Sequence, residues 1–203
     1  MQRILILLAG FLAAAAVSAG SIEQLESFVA TTRAARASFS QTVIDGDGKV
    51  VQQSSGTLEF SRPNKFRWHY TRPFEQLLVA DGERLWIYDK DLNQVTTRKL
   101  DGALGSSPAA LLAGADEIQR YFSLEAQGRS NNLEWLQVKP YDQDSMFERV
   151  RMGFANNGLQ VMELYDHFGQ KTVIRFSKLQ KSPRFASDVF SFVPPPGADV
   201  VTE

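Results

Sequence analysis

Two histidines, an Asp-Gly-rich turn and an arginine at the end of an apolar strand are the residues in this chain whose types and spacing could do chemistry. His69 lies in Phe66-Arg67-Trp68-His69-Tyr70 on the face opposite Phe66, Trp68 and Tyr70, so its ring is expected in solvent. His167 lies in Asp166-His167-Phe168-Gly169, which reads as a hairpin turn. No Gly-x-Ser-x-Gly elbow, His-Glu-x-x-His, phosphate-binding loop or Gly-x-Gly-x-x-Gly accompanies them, so no nucleophile, zinc or nucleotide chemistry is legible. Asp45-Gly46-Asp47-Gly48 has a calcium-loop beginning. A twelve-residue loop counted from Asp45 would need Gly at 50 and Glu at 56, where the chain has Val50 and Gly56, so a hairpin turn is expected. Zero cysteines exclude disulfides, thiolate metal sites, cysteine catalysis and a lipidated N-terminal cysteine. The reading is of a protein that is not an enzyme and has no cofactor or metal.

Arg62 is the most informative single residue. If the strand through Leu58 and Phe60 keeps its parity, position 62 points to the same apolar face just before Pro63 ends the pairing. A guanidinium cannot shed its charge, so its donors must find carbonyls, carboxylates or water. Two readings follow: a strand-end arginine in solvent, or a latch to a neighbouring loop or helix end with free carbonyls.

The elements that must position these residues are mostly strands. Ser21 to about Ala34 reads as a helix, with Ile22, Leu25, Phe28, Val29 and Thr32 on one face and Ser21 with Gln24 as a capping box. The period then changes to two. Strands are expected at Ala37 to Ile44, Val50 to Phe60, Phe66 to Thr71, Gln76 to Ala80, Arg84 to Asp89, Gln94 to Arg98, Tyr121 to Ala126 and Leu133 to Lys139. Glu148 to Phe154, Leu159 to Tyr165, Lys171 to Leu179 and Val189 to Val193 continue the series. Between Gly102 and Phe122, Ser107 and Pro108 open one short helix that Gly114 closes, and Asp116 with Gln119 caps a second. Helices this short must lean on apolar surface, so the segment reads as a lid. Leu77-Leu78-Val79, Leu85-Trp86-Ile87-Tyr88 and Val161-Met162 with Leu164-Tyr165 are apolar on both faces, as in a doubly covered sheet or one with a cavity under a lid.

The 203 residues balance 22 Lys and Arg against 23 Asp and Glu, so no global field favours nucleic acid. Met1-Gln2-Arg3, the uncharged run Ile4 to Val17 and the small residues of Val17-Ser18-Ala19 compose a leader expected to be cleaved after Ala19. The run of roughly 14 residues falls short of the ~20 that span a bilayer. The expectation is residues 1–19 as signal peptide and 20–203 as a single, exported, monomeric domain.

Taken together, Gly56-Thr57-Leu58-Glu59-Phe60, Arg62-Pro63-Asn64 with Phe66 and Trp68, Asp81-Gly82 ahead of Leu85-Trp86-Ile87-Tyr88, and the closing Phe190-Ser191-Phe192-Val193-Pro194-Pro195 resemble the LolA family of periplasmic outer-membrane lipoprotein carriers. The resemblance runs from Phe39-Ser40-Gln41 nearly to the C-terminus. It implies a mainly β fold with α: an incomplete, strongly curved antiparallel β-barrel of about eleven strands, with an N-terminal helix and short lid helices over an apolar cavity. It also implies a periplasmic chaperone that takes the acyl chains of lipoproteins released by an inner-membrane ATP-driven exporter and delivers them to an outer-membrane receptor. Arg62 would latch the lid through lid backbone carbonyls, while Leu58, Phe60, Trp68, Leu111 and Leu112 would line the cavity. Pro63 and Phe66 would form a rim for partners. Many relatives have Pro where this chain has Lys90, and Ala109-Ala110-Leu111-Leu112 is a lid poorer in bulky side chains than some. The same half-barrel also resembles periplasmic lipid- or lipoprotein-sensing regulatory modules, which carry a second domain.

Overall fold

The structure is a computed structural model that describes residues 20–100, 108–113, 118–155 and 158–203. The expected leader, Ser107, Gly114 and Asp116 lie outside these residues. The first helix, α1 (Ser21–Thr31), buries Leu25, Phe28 and Val29 at the three- and four-residue spacing of one helical face. Its N-cap is Gly20, whose carbonyl accepts from the Gln24 N–H at 3.0 Å, and no side chain caps it. The expected capping box is therefore absent, because Ser21 is already helical. The helix stops at Thr31 rather than near Ala34 because the chain extends at once into a strand.

Twelve strands follow: β1 (Ala34–Ile44), β2 (Val50–Ser61), β3 (Lys65–Arg72), β4 (Gln76–Asp81), β5 (Arg84–Asp89), β6 (Gln94–Lys99), β7 (Phe122–Ser130), β8 (Leu133–Pro140), β9 (Arg149–Ala155), β10 (Gly158–Tyr165), β11 (Lys171–Lys181) and β12 (Asp199–Thr202). Two short helices, α2 (Pro108–Ala113) and α3 (Ile118–Tyr121), stand between β6 and β7. The strands make one sheet in the order β12-β6-β5-β4-β3-β2-β1-β11-β10-β9-β8-β7. Two consecutive antiparallel runs are thus joined in the middle by β1 against β11, and the outer strands β7 and β12 leave the barrel incomplete.

The concave face carries rows of inward residues set by register: Ala37 opposite Leu58 opposite Trp68 opposite Leu78, and Ala35 opposite Phe60 opposite Phe66 opposite Ala80. These rows, both runs of strands, α1 and α2 share one buried apolar cluster. Phe28 of α1 bridges the two runs, edge-on to Phe60 at 6.5 Å and to Phe154 at 6.3 Å.

The strands apolar on both faces owe this to coverings on the convex side. Phe192 stacks 5.8 Å from both Trp86 and Tyr88. Trp135, Val161 and Val173 form a second cluster, with the Arg151 guanidinium 4.5 Å over Trp135 and ion-paired to Glu163 at 2.9 Å. Val189 to Val193 is not a strand. Pro194, Pro195 and Pro196 follow it without N–H donors, and the chain instead adds β12 parallel to β6, with Val200 beside Val95.

Candidate functional site

Strand parity holds through the end of β2. Leu58 and Phe60 are 2% exposed and Arg62, two residues on, is 9% exposed on the same face. Its Nε–H donates to the Thr32 carbonyl at 3.3 Å, its backbone N–H to the Arg33 carbonyl at 2.8 Å, and its guanidinium lies 5.9 Å from the Phe28 ring and 5.5 Å from Phe60. The buried cation is housed by the negative C-terminal end of α1 and by two ring faces. The solvent reading of Arg62 is thereby excluded. The partner described for the side chain is the end of α1, where the resemblance implied lid carbonyls.

The lid is tied one turn further along. Asn64, at φ 62°, donates its N–H to the Ala113 carbonyl of α2 at 2.7 Å. Asparagine tolerates this left-handed conformation, so Arg62-Pro63-Asn64 fastens α1 by a side chain and α2 by the backbone. The Asn64 tie was missed from sequence; the signal available was an Asn directly after Pro at a strand end.

Other motif residues hold the frame. Gly56 sits between Phe39 and Tyr70 in the ladder, and a Cβ there would lie 1.9 Å from the His69 carbonyl oxygen. Asp81 accepts from the N–H groups of Glu83 and Arg84, both at 2.8 Å, and from Trp86 Nε1 at 3.1 Å. Burial raises its pKa, but these donors together hold the carboxyl below the usual range.

Beneath α1 and α2 the described residues pack closely. A void of about 10 Å³ remains, lined by Leu58, Phe60 and Leu112 with Phe28, Ala37 and Phe176 among others. That is room for about one water, against the ~300–1,000 Å³ of a ligand pocket. Leu111 and Trp68 are buried but do not line it; Trp68 packs 4.8 Å from Phe39 and 6.5 Å from Phe176. Phe66, expected at the rim, is 1% exposed, and only Pro63 of that pair is at the surface in this closed form. On the other flank of α1 an open cleft of about 840 Å³ runs between α1, α3 and β7, floored by Leu25, Val29, Ile118 and Leu124. One helix, through Phe28 on one side and Leu25 and Val29 on the other, therefore stands between the small void and the open cleft.

The histidines play other parts. His69 Nε2 is 3.3 Å from Glu75, whose carboxyl is held below its usual range by the Lys90 ammonium at 2.6 Å and then by His69. His167 Nε2 is 3.0 Å from the Ser145 carbonyl. Among the described residues no group of three His, Cys, Asp or Glu side chains could hold a metal.

The profile of the family described as outer membrane lipoprotein carrier protein LolA matches residues 30–193. Proteins named outer-membrane lipoprotein carrier protein are similar along their length. The one from Nitrosospira multiformis is 50% identical over 91% of this chain and 90% of its own, and that from Cupriavidus necator 48% over 97% and 94%. Among solved structures, an uncharacterized conserved protein from Thermus thermophilus superposes with a TM-score of 0.57 at 13% identity, over 90% of this chain and 96% of that one. A domain from Vibrio parahaemolyticus does so with 0.51 at 14% identity, over 84% and 95%. Likeness at that identity shows the fold alone, whereas the sequence matches span every motif that builds the Arg62 corner: this chain belongs to the LolA family of outer-membrane lipoprotein carrier proteins.

Proposed function

We propose that the protein is a periplasmic chaperone for acylated lipoproteins, exported by means of residues 1–19 and folded as one domain from Gly20. It takes cargo from an inner-membrane ATP-driven exporter and gives it to an outer-membrane receptor, and it performs no catalysis. The observation that carries this reading is an apolar concave face closed by helices whose ends are fastened at one corner, Arg62 to Thr32 and Asn64 to Ala113. Each CH₂ withdrawn from a membrane costs about 0.8 kcal/mol, so a single long acyl chain needs on the order of 10 kcal/mol of replacement burial. The void of about 10 Å³ beneath α1 does not supply it, and in this reading α1 and α2 move as cargo enters. Moving α1 joins the void to the cleft of about 840 Å³ and breaks the Arg62 tie.

This geometry also accounts for release. The closed form satisfies its own apolar surface, so the affinity for cargo is reduced by the free energy of closure, and a receptor with a preformed cavity wins the chain without an energy source in the carrier. The test is release of a labelled lipoprotein from inner-membrane vesicles into the soluble fraction on addition of the purified protein. A complex is expected with the acylated cargo and none with the same cargo lacking its lipidated cysteine. Equal recovery of both would refute the reading.

A further inference from the structure

The two edges of the sheet differ in length. β12 has four residues and β7 nine, and among the described residues no strand pairs with the outer side of either. β7 meets β8 in an unbroken antiparallel register from Phe122 opposite Pro140 to Ala126 opposite Leu136. The Tyr141 N–H donates to the Tyr121 carbonyl at 2.9 Å, which fixes the phase of this ladder. Alternate residues of an antiparallel pair exchange bonds with the neighbour, so Ser123 and Glu125 bond to β8 while Leu124 and Ala126 turn their N–H and C=O groups outward. Beyond Ala126 the register shifts, with Gly128 at φ 71°, and the regular edge ends.

An open strand edge is a template for another chain, and folded proteins blunt it with lysine, proline or an inward-turned charge. Residues 122–127 contain neither lysine nor proline, and their single charge, Glu125, lies on the face opposite Leu124 and accepts from Gln137 Nε2 at 2.8 Å. The same strand is a wall of the open cleft. Leu124 lines that cleft with Leu25 and Val29 of α1 and packs against the core cluster. Cleft and free edge therefore meet at one residue, and a chain anchored in the cleft leaves it beside the outward amides of Leu124 and Ala126.

We propose that the outer edge of β7 takes the polypeptide of the cargo as an added strand: the residues that follow the acylated one pair with Leu124 and Ala126 while the acyl chains lie under α1. The proposal rests on the carrier reading above. Main-chain pairing reads no side chain, so one edge accepts polypeptides of different sequence, as cargo that shares only its lipid requires. The edge can be short because the lipid already holds the peptide beside it, and the second contact forms at the effective concentration of a tethered segment. A second copy of this chain has no such tether, and the register shift after Ala126 shortens any ladder between two rigid edges.

The test gives the cargo-free full mature chain three synthetic probes: a triacylated cysteine, the same cysteine followed by about six residues at ~3.4 Å each, and that peptide N-methylated at alternate amides in either phase. Affinity and residue-level backbone hydrogen exchange are measured. The tailed peptide is expected to bind about tenfold tighter than the acylated cysteine alone, whatever the tail's sequence, and to slow exchange at Leu124 and Ala126. N-methylation in one phase removes both effects, and in the other neither. Ala126→Pro, which deletes an outward N–H and spares the bonds to β8, is expected to remove most of the tail's advantage and leave binding of the acylated cysteine unchanged. Acyl-dependent binding with no gain from the tail, or with unchanged exchange at Leu124 and Ala126, would overturn the edge assignment and leave the carrier reading standing. Equal protection by the same peptide without its acyl chains would refute the carrier reading and leave the edge as a peptide site. Protection of these amides that rises with protein concentration and needs no peptide would make a second copy the occupant and overturn the proposal.

Discussion

Replacing Arg62 with leucine isolates the free energy of closure. In the closed form the substitution removes a charge-assisted bond to Thr32 and leaves that carbonyl, at the buried end of α1, without its donor. The cation's contact with the Phe28 and Phe60 rings is lost with it, because a leucine side chain ends well short of the position of the guanidinium. The uncompensated loss is then about 1.5–3 kcal/mol. At 1.4 kcal/mol per factor of ten, the opening equilibrium shifts by roughly 10- to 100-fold. Arg62→Leu is therefore expected to load lipoprotein as well as or better than wild type and to release it to the receptor more slowly. An environment-sensitive apolar dye should brighten more with the variant, whose concave face opens more often, than with wild type. Arg62→Lys should lie between, because an ammonium keeps the charge but not the planar contact with the rings. The assays are loading from inner-membrane vesicles and, separately, transfer of labelled cargo to outer-membrane acceptor. Loss of loading with release at the wild-type rate would mean that Arg62 contacts cargo or partner, and the latch reasoning would fail.

Phe66→Glu places a carboxylate at a position 1% exposed, so it should cost about 4 kcal/mol or more and lower Tm by about 10 °C or more. A wild-type Tm with impaired transfer would instead show that Phe66 is exposed in the working state. Gly56→Ala drives a methyl to 1.9 Å from the His69 carbonyl and should separate β2 from β3 at a cost of about 2–3 kcal/mol in urea unfolding; a loss below the scatter of the measurement would refute the close approach. Burial pushes the Tyr70 phenol up to about 12, above its unfolded value near 10, with its O–H donated to Gln41 at 3.0 Å. Because the folded pKa is the higher, this contribution is complete below pH ~10 and is lost as pH rises from about 10 to 12, by up to about 2–3 kcal/mol. Tyr70→Phe should flatten the stability profile in that window, and an unchanged slope would show that the phenol ionises alike in both states.

What could be read from the sequence was whatever local physics decides. Alternation of period two placed the strands from β1 to β11, because a half-buried strand must send every second side chain inward whatever its neighbour is. The same parity put Arg62 on the buried face, since Leu58 and Phe60 leave position 62 no other side. Asp45 and Asp166 marked their turns because the bonds that shape these turns form within four residues. The Arg62-Pro63-Asn64 corner was legible as a place of consequence, and Arg62 as a cation in need of carbonyls.

Which carbonyl receives Arg62 was settled only by the tertiary structure, because Thr32 lies thirty residues away and reaches the corner only once β1 pairs with β2. The burial of Phe66 has the same origin, with Phe60 on one side and Ala80 on the other supplied by different strands. Two-sided apolar patterning could not show whether a cavity or a convex covering caused it, since Phe192 reaches Trp86 and Tyr88 from more than a hundred residues along the chain. The short exposed β12 carries no burial signal and exists through its register with β6. The size of the void depends on how Phe28, Leu58, Phe60 and Leu112 interlock, and packing of this kind is a property of volumes brought together from three parts of the chain, which periodicity does not encode.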